Sequence, residues 1–180
     1  HKDVVELLLQ RCNIEESGLN TKDREGWTAL MEACFYGHKE VVKLLLERSS
    51  QDIDINARNA YGMTVFMYAC YKGHKDVVQL LLDHLERNIE LNAKDDLGFT
   101  ALMEACSNGH KDIVQLLLLE PNIELNARNC HGKTALRIAC EGKHKDVVKL
   151  LLDLSDRNIE LNAKDNQGFT ALMEACSKGR

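Results

Sequence analysis

Two hydrophobic rhythms alternate along the chain. The first is short: in Ala29–Tyr36, the apolar Leu30, Ala33 and Cys34 fall at helical spacing. The second is broad: in Lys39–Leu46, Val41, Val42, Leu44, Leu45 and Leu46 make a face too apolar for a helix lying alone on a surface. Gly37 stands between them, where a helix C-terminus favours glycine. Gly26, before Trp27 and Thr28, supplies the positive φ that a tight turn requires. Beyond the second helix, Ile53-Asp54-Ile55-Asn56-Ala57 alternates apolar and polar, which predicts an extended finger carrying the chain back to its starting height. The predicted unit is helix, turn, antiparallel helix and finger.

That unit recurs. Thr-Ala-Leu-Met-Glu-Ala-Cys is spelled at Thr28–Cys34, Thr100–Cys106 and Thr170–Cys176, with altered copies at Thr64–Cys70 and Thr134–Cys140. The threonines are spaced by 36, 36, 34 and 36 residues. A fixed period in this range means a solenoid, in which each unit buries its apolar face only by stacking on its neighbours. The register divides the chain into a partial repeat over 1–24 (second helix and finger), full repeats over 25–60, 61–96, 97–130 and 131–166, and a partial repeat over 167–180 (first helix). This reads as a single continuous array.

Helix, turn, helix and finger with a Gly-x-Thr-x-Leu opening resembles the ankyrin-repeat family. The run Gly37–Leu46 is similar to that family's second-helix signature, with matching segments from Gly73 and Gly109 and a variant over Glu141–Leu152. The finger's Asn-Ala recurs at Asn56, Asn92, Asn126 and Asn162, so the resemblance spans essentially the whole chain. It implies an all-α repeat solenoid of stacked helix–turn–helix units joined by extended β-hairpin-like fingers. The chain departs from the family where Pro usually follows the threonine: Ala29, Val65, Ala101, Ala135 and Ala171 stand there. The family's His three places after the threonine is Met31, Met67, Met103, Arg137 or Met173, so the array should lean on apolar packing. In the fifth copy Gly142 comes one place early, which predicts an altered turn between its helices. The only proline, Pro121, lies in a linker two residues short, and this accounts for the spacing of 34.

Charge changes the picture by exclusion. The 23 basic and 28 acidic residues are interspersed, for a formal charge of −5, and no Lys/Arg cluster rewards a nucleic-acid backbone or an anionic membrane. Apolar runs such as Leu116–Leu119 are far too short for membrane insertion. Of the seven cysteines, Cys34, Cys70, Cys106, Cys140 and Cys176 share one repeat position. Stacked helices lie about 8–10 Å apart, beyond the roughly 7 Å that a disulfide spans. These cysteines are expected to be small buried packing residues of a reducing, intracellular compartment, cytoplasm or nucleus. The histidines His38, His74, His110 and His144 are one repeat apart, too far to share a metal ion, and are expected to bond local backbone at the head of each second helix. Cys/His metal spacings and phosphate-binding glycine loops are absent. The expectation is a chain with no cofactor, no metal and no catalytic role.

With the recurring positions assigned to the scaffold, function should sit on those that vary. The resemblance implies that finger tips and first-helix ends line a concave partner-binding face. On that face fall Arg24, Glu25, Trp27, Phe35 and Tyr36; then Tyr61, Met63, Tyr68, Tyr71 and Lys72; then Phe99, His131 and Lys133. Aromatic residues are over-represented among interface hot spots. For Phe99 and Phe169 a bland reading competes: the residue after the finger glycine packs on the next finger. The functional reading is a non-catalytic module that binds a protein or peptide. Its alternatives are an architectural spacer or regulatory arm of a larger multidomain protein, or an array that self-associates head to tail through the half-repeats at its ends.

Overall fold

A computed structural model describes residues 2–11, 16–48, 53–154 and 157–178. Helices α1 (Lys2–Arg11), α2 (Ala29–Phe35), α3 (Lys39–Arg48), α4 (Val65–Lys72) and α5 (Lys75–Leu82) lie in one compact unit, His1–Glu90. Helices α6 (Ala101–Ser107), α7 (Lys111–Leu117), α8 (Ala135–Glu141), α9 (Lys145–Leu152) and α10 (Ala171–Lys178) lie in a second, Leu91–Arg180. Among the described residues there is no strand. In the first unit the first helices α2 and α4 pack side by side, and the second helices α1, α3 and α5 form a parallel layer behind them. In the second unit α6, α8 and α10 make one row, and α7 and α9 the other. This is the stacked helix–turn–helix architecture of an all-α repeat solenoid.

The recurring threonine starts each first helix. Its Oγ1 accepts from the N–H three residues on: Met31 at 3.2 Å, Met67, Met103 and Met173 at 3.3 Å, and Arg137 at 3.4 Å. A cap of this kind contributes about 1 kcal/mol. Met31, Met67 and Met103 are fully buried beside Leu30, Phe66 and Leu102, the apolar substitute for the missing histidines. Cys34, Cys70 and Cys106 are buried as expected, and burial pushes the thiols of Cys34 and Cys106 far up. Cys140 is only half-buried and Cys176 is exposed. No described helix is long and apolar enough to cross a membrane.

Two expectations about turns need correction. The turn after Gly142 is not altered. Its closing bond, His144 N–H to Ala139 C=O at 3.1 Å, matches His74 N–H to Ala69 C=O at 3.1 Å. Gly37, Gly73 and Gly109 reach this turn with φ of 70, 81 and 71°, and in the fifth copy Lys143 adopts φ 58° instead. A lysine has been forced into the left-handed region because the glycine is out of place. The second correction concerns Ile53–Ala57, which is a turn closed by Ala57 N–H to Asp54 C=O at 3.1 Å and not an extended strand. The hairpin lies further on, where Asn59 N–H donates to Met63 C=O at 3.2 Å. Within each unit, neighbouring fingers are joined by single backbone bonds: Ala60 N–H to Glu25 C=O at 2.8 Å, Cys130 N–H to Leu97 C=O at 2.9 Å and Asn166 N–H to His131 C=O at 2.9 Å.

The finger asparagines and the histidines then tie repeat to repeat. Asn56 Nδ2 donates to Asn88 C=O at 2.9 Å while its Oδ1 accepts from Glu90 N–H at 3.0 Å, and Asn92 and Asn126 make the same pair of bonds in the second unit. His74 Nε2–H donates to Phe35 C=O at 2.9 Å, and His144 Nε2–H to Ser107 C=O at 2.9 Å. For these two histidines the expected local backbone bond is thus replaced by one to the preceding repeat. The imidazole fits there because Gly37 has no Cβ, which would lie 2.5 Å from His74 Nδ1.

Candidate functional site

Each finger is shaped by the residue at its base. Asp23 accepts at Oδ1 from Glu25 and Trp27 N–H, both at 2.8 Å; Asn59, Asp95, Asn129 and Asp165 do the same two and four residues on. These Asx turns set the direction of the tip and of the residue after the glycine. In the first full repeat that residue, Trp27, meets the first helix of the next at Tyr68.

In the first unit this brings rings together. Trp27 stacks on Tyr68 with centroids 4.4 Å apart and meets Phe35 edge-on at 5.2 Å. Phe35 also meets Tyr68 at 5.5 Å and Tyr36 at 5.1 Å, both edge-on. Lys72 places its Nζ 4.1 Å from the Phe35 centroid and 5.2 Å from that of Tyr71, within reach of cation–π attraction. Asn59 Nδ2 donates to Tyr68 Oη at 2.6 Å, which satisfies a buried amide. Tyr36 is 61% exposed, Tyr61 57% and Tyr71 38%. Arg24, Glu25 and Lys72 are exposed as well, while Trp27 and Phe35 are half-buried and form the base of the cluster.

Two residues assigned to the contact face from the sequence do not belong there. Tyr68 is 6% exposed because its ring is held against Trp27 and Phe35 of the preceding repeat. Met63 is 7% exposed because it follows the positive-φ Gly62 back into the hairpin, its N–H held by Asn59. Variation at these positions reflects packing. Phe169 is 41% exposed.

In the second unit Phe99, His131 and Lys133 are brought together around a cavity of about 310 Å³, which Ser107, Asn129, Ile138, Glu141 and Gly142 complete. Lys133 Nζ is 2.6 Å from Glu141 Oε2. Sequence reasoning missed Asn129 and Ile138 as cavity residues, since each looks ordinary in its own repeat. Beside the cavity lies a buried ion cluster. Arg137, standing where other copies have Met, reaches Glu174 at 2.8 Å, Asp165 at 3.3 Å and Glu141 at 3.9 Å. The signal for it was present, an Arg in an otherwise apolar heptapeptide. Glu104 is buried too, and desolvation followed by the charge of Asp95 pushes its carboxyl up to about 7.

Among the described residues no three His, Cys, Asp or Glu side chains converge closely enough to hold a metal ion. The arrangement offers rings, hydroxyls and paired charges for contact. A family model described as ankyrin repeats matches the chain in three copies, over residues 1–59, 51–129 and 122–180. No curated protein matches it.

Proposed function

The chain belongs to the ankyrin-repeat family, whose repeats generally serve as protein–protein interaction modules, and on that premise we propose that it is a non-catalytic module binding a protein or peptide through finger tips and first-helix ends of the first unit. The observation that carries this reading is the set of exposed tyrosines, Tyr36, Tyr61 and Tyr71, beside the half-buried Trp27 and Phe35. Tyrosine buries a large area on contact and loses little conformational entropy, because it has only two side-chain torsions. A base of interlocked rings holds Tyr36 in place before any partner arrives, which lowers the cost of association. Lys72 places a cation over the rings of Phe35 and Tyr71 and favours a partner with an acidic residue nearby.

The test replaces Tyr36, Tyr61 and Tyr71 together with alanine and compares the variant with the parent as immobilised bait in cell lysate, read by quantitative mass spectrometry. Proteins captured by the parent should fall at least tenfold. Alanine at the exposed Lys39, Lys43 and Gln79 of the second helices should leave capture unchanged. Equal capture by the tyrosine variant, with its helical circular dichroism intact, defeats the reading.

A further inference from the structure

The two units carry the same frame differently filled. Asn59 and Asn129 occupy the same finger-base place, and each turns its Oδ1 to two backbone N–H groups, at 3.0 and 3.1 Å for Asn59 and 3.0 Å twice for Asn129. Those N–H groups can only donate, so the oxygen must face them and Nδ2 must face away. In the first unit that Nδ2 meets the phenol oxygen of Tyr68, whose ring is stacked on Trp27 and flanked by Phe35. In the second unit each of those rings gives way to a smaller side chain: Phe99 stands for Trp27, Ser107 for Phe35 and Ile138 for Tyr68. What remains is the cavity of about 310 Å³. Asn129, 6% exposed, borders it, and its Nδ2 has no hydrogen-bond partner.

We propose that this cavity receives a tyrosine side chain from a protein partner, whose phenol oxygen accepts a hydrogen bond from Asn129 Nδ2 while its ring lies against Phe99. An aliphatic side chain would fill the space and leave the buried donor unmade, which is the costly outcome. A carboxylate or phosphate gains little, because Lys133, which lines the cavity, is already paired with Glu141 at 2.6 Å. A phenol meets both demands, a flat apolar body and one acceptor at its tip. The chain's own Tyr68 does so at the corresponding place, with an N–O distance of 2.6 Å.

The experiment titrates the ¹⁵N,¹³C-labelled full chain with p-cresol and with p-xylene, which has a methyl group in place of the hydroxyl. The Asn129 side-chain amide pair and the Ile138 methyls should shift saturably with p-cresol. Binding of p-xylene should be about tenfold weaker, or about 1.4 kcal/mol, the size of one hydrogen bond to a buried donor. Ile138→Tyr, which supplies the phenol from within, should abolish the p-cresol response and raise the thermal midpoint. Ser107→Phe should abolish the response as well, and it serves should Ile138→Tyr fail to fold. Equal binding of the two probes, a response that survives in the filled variants, or no saturable shift at these residues overturns the proposal. The titration needs no protein partner, so its failure leaves the tyrosine surface of the first unit standing, and loss of that surface leaves the cavity standing.

Discussion

Glu104 is a carboxyl buried where its charge is unwelcome, and this makes stability depend on pH in a direction that can be worked out. Desolvation in α6, with Asp95 adding like charge, raises it from 4.5 to about 7. The folded chain therefore holds this proton more tightly than the unfolded chain does. Below about pH 4.5 both states are protonated and the site costs nothing. Between 4.5 and 7 the unfolded state ionises first, and stability falls as pH rises. At about 1.4 kcal/mol for each tenfold change in the proton equilibrium, the full displacement corresponds to roughly 3 kcal/mol lost by pH 8. Glu104→Gln removes the titration and keeps the shape. At pH 4.5 the variant should be the less stable by about 1 kcal/mol, the cost of burying an amide in place of a neutral carboxyl, in urea titrations followed by circular dichroism. At pH 8 the variant should be the more stable by about 1–2 kcal/mol, after allowing roughly 1 kcal/mol for burying the amide. Glu32, at the same place in its repeat but exposed, is the control, and Glu32→Gln should shift neither midpoint. A Glu104→Gln effect of equal size at both pH values would refute the assignment of a buried, proton-holding carboxyl.

Other substitutions test the joints between repeats. Lys143→Gly should stabilise by about 0.5–1 kcal/mol, the left-handed penalty less the entropy that glycine adds to the unfolded chain; an unchanged urea midpoint denies the strain. His74→Ala removes the bond to Phe35 C=O and should cost about 1–2 kcal/mol in the same assay. Gly37→Ala should cost more in the parent than in the His74→Ala background, since its new Cβ would meet the imidazole; a coupling energy near zero in the double-mutant cycle rules out that contact. Arg137→Met restores the residue of the other copies yet leaves the carboxylates of Asp165 and Glu174 without their cation. Its thermal midpoint should fall, and a rise would mean that the ion cluster is dispensable.

Periodicity made the architecture legible because the pattern recurs: the threonine cap is stated five times, and the glycine turns and buried methionines recur in most copies, so each copy checks the rest. The contact face was legible only in outline. Trp27, Phe35, Tyr36 and Tyr71 stand out because later copies hold smaller or polar residues, and the structure does gather them. The same contrast misplaced Met63 and Tyr68, for a physical reason. A variable position is free to differ either because it faces solvent or because it packs against another variable position, and one sequence does not separate the two. Tyr68 varies together with Trp27, across a spacing longer than one repeat. His74 and His144 misled in the same way: their partners are carbonyls of the preceding repeat, and a carbonyl is present whatever the residue. The cavity is the furthest from any local signal, because it arises from three reductions at separated places, Phe99, Ser107 and Ile138, around an asparagine that keeps its other bonds. Read along the chain, Ile138 is an ordinary core aliphatic. Set beside Tyr68 in the same register, it is the missing ring that leaves Asn129 without an acceptor.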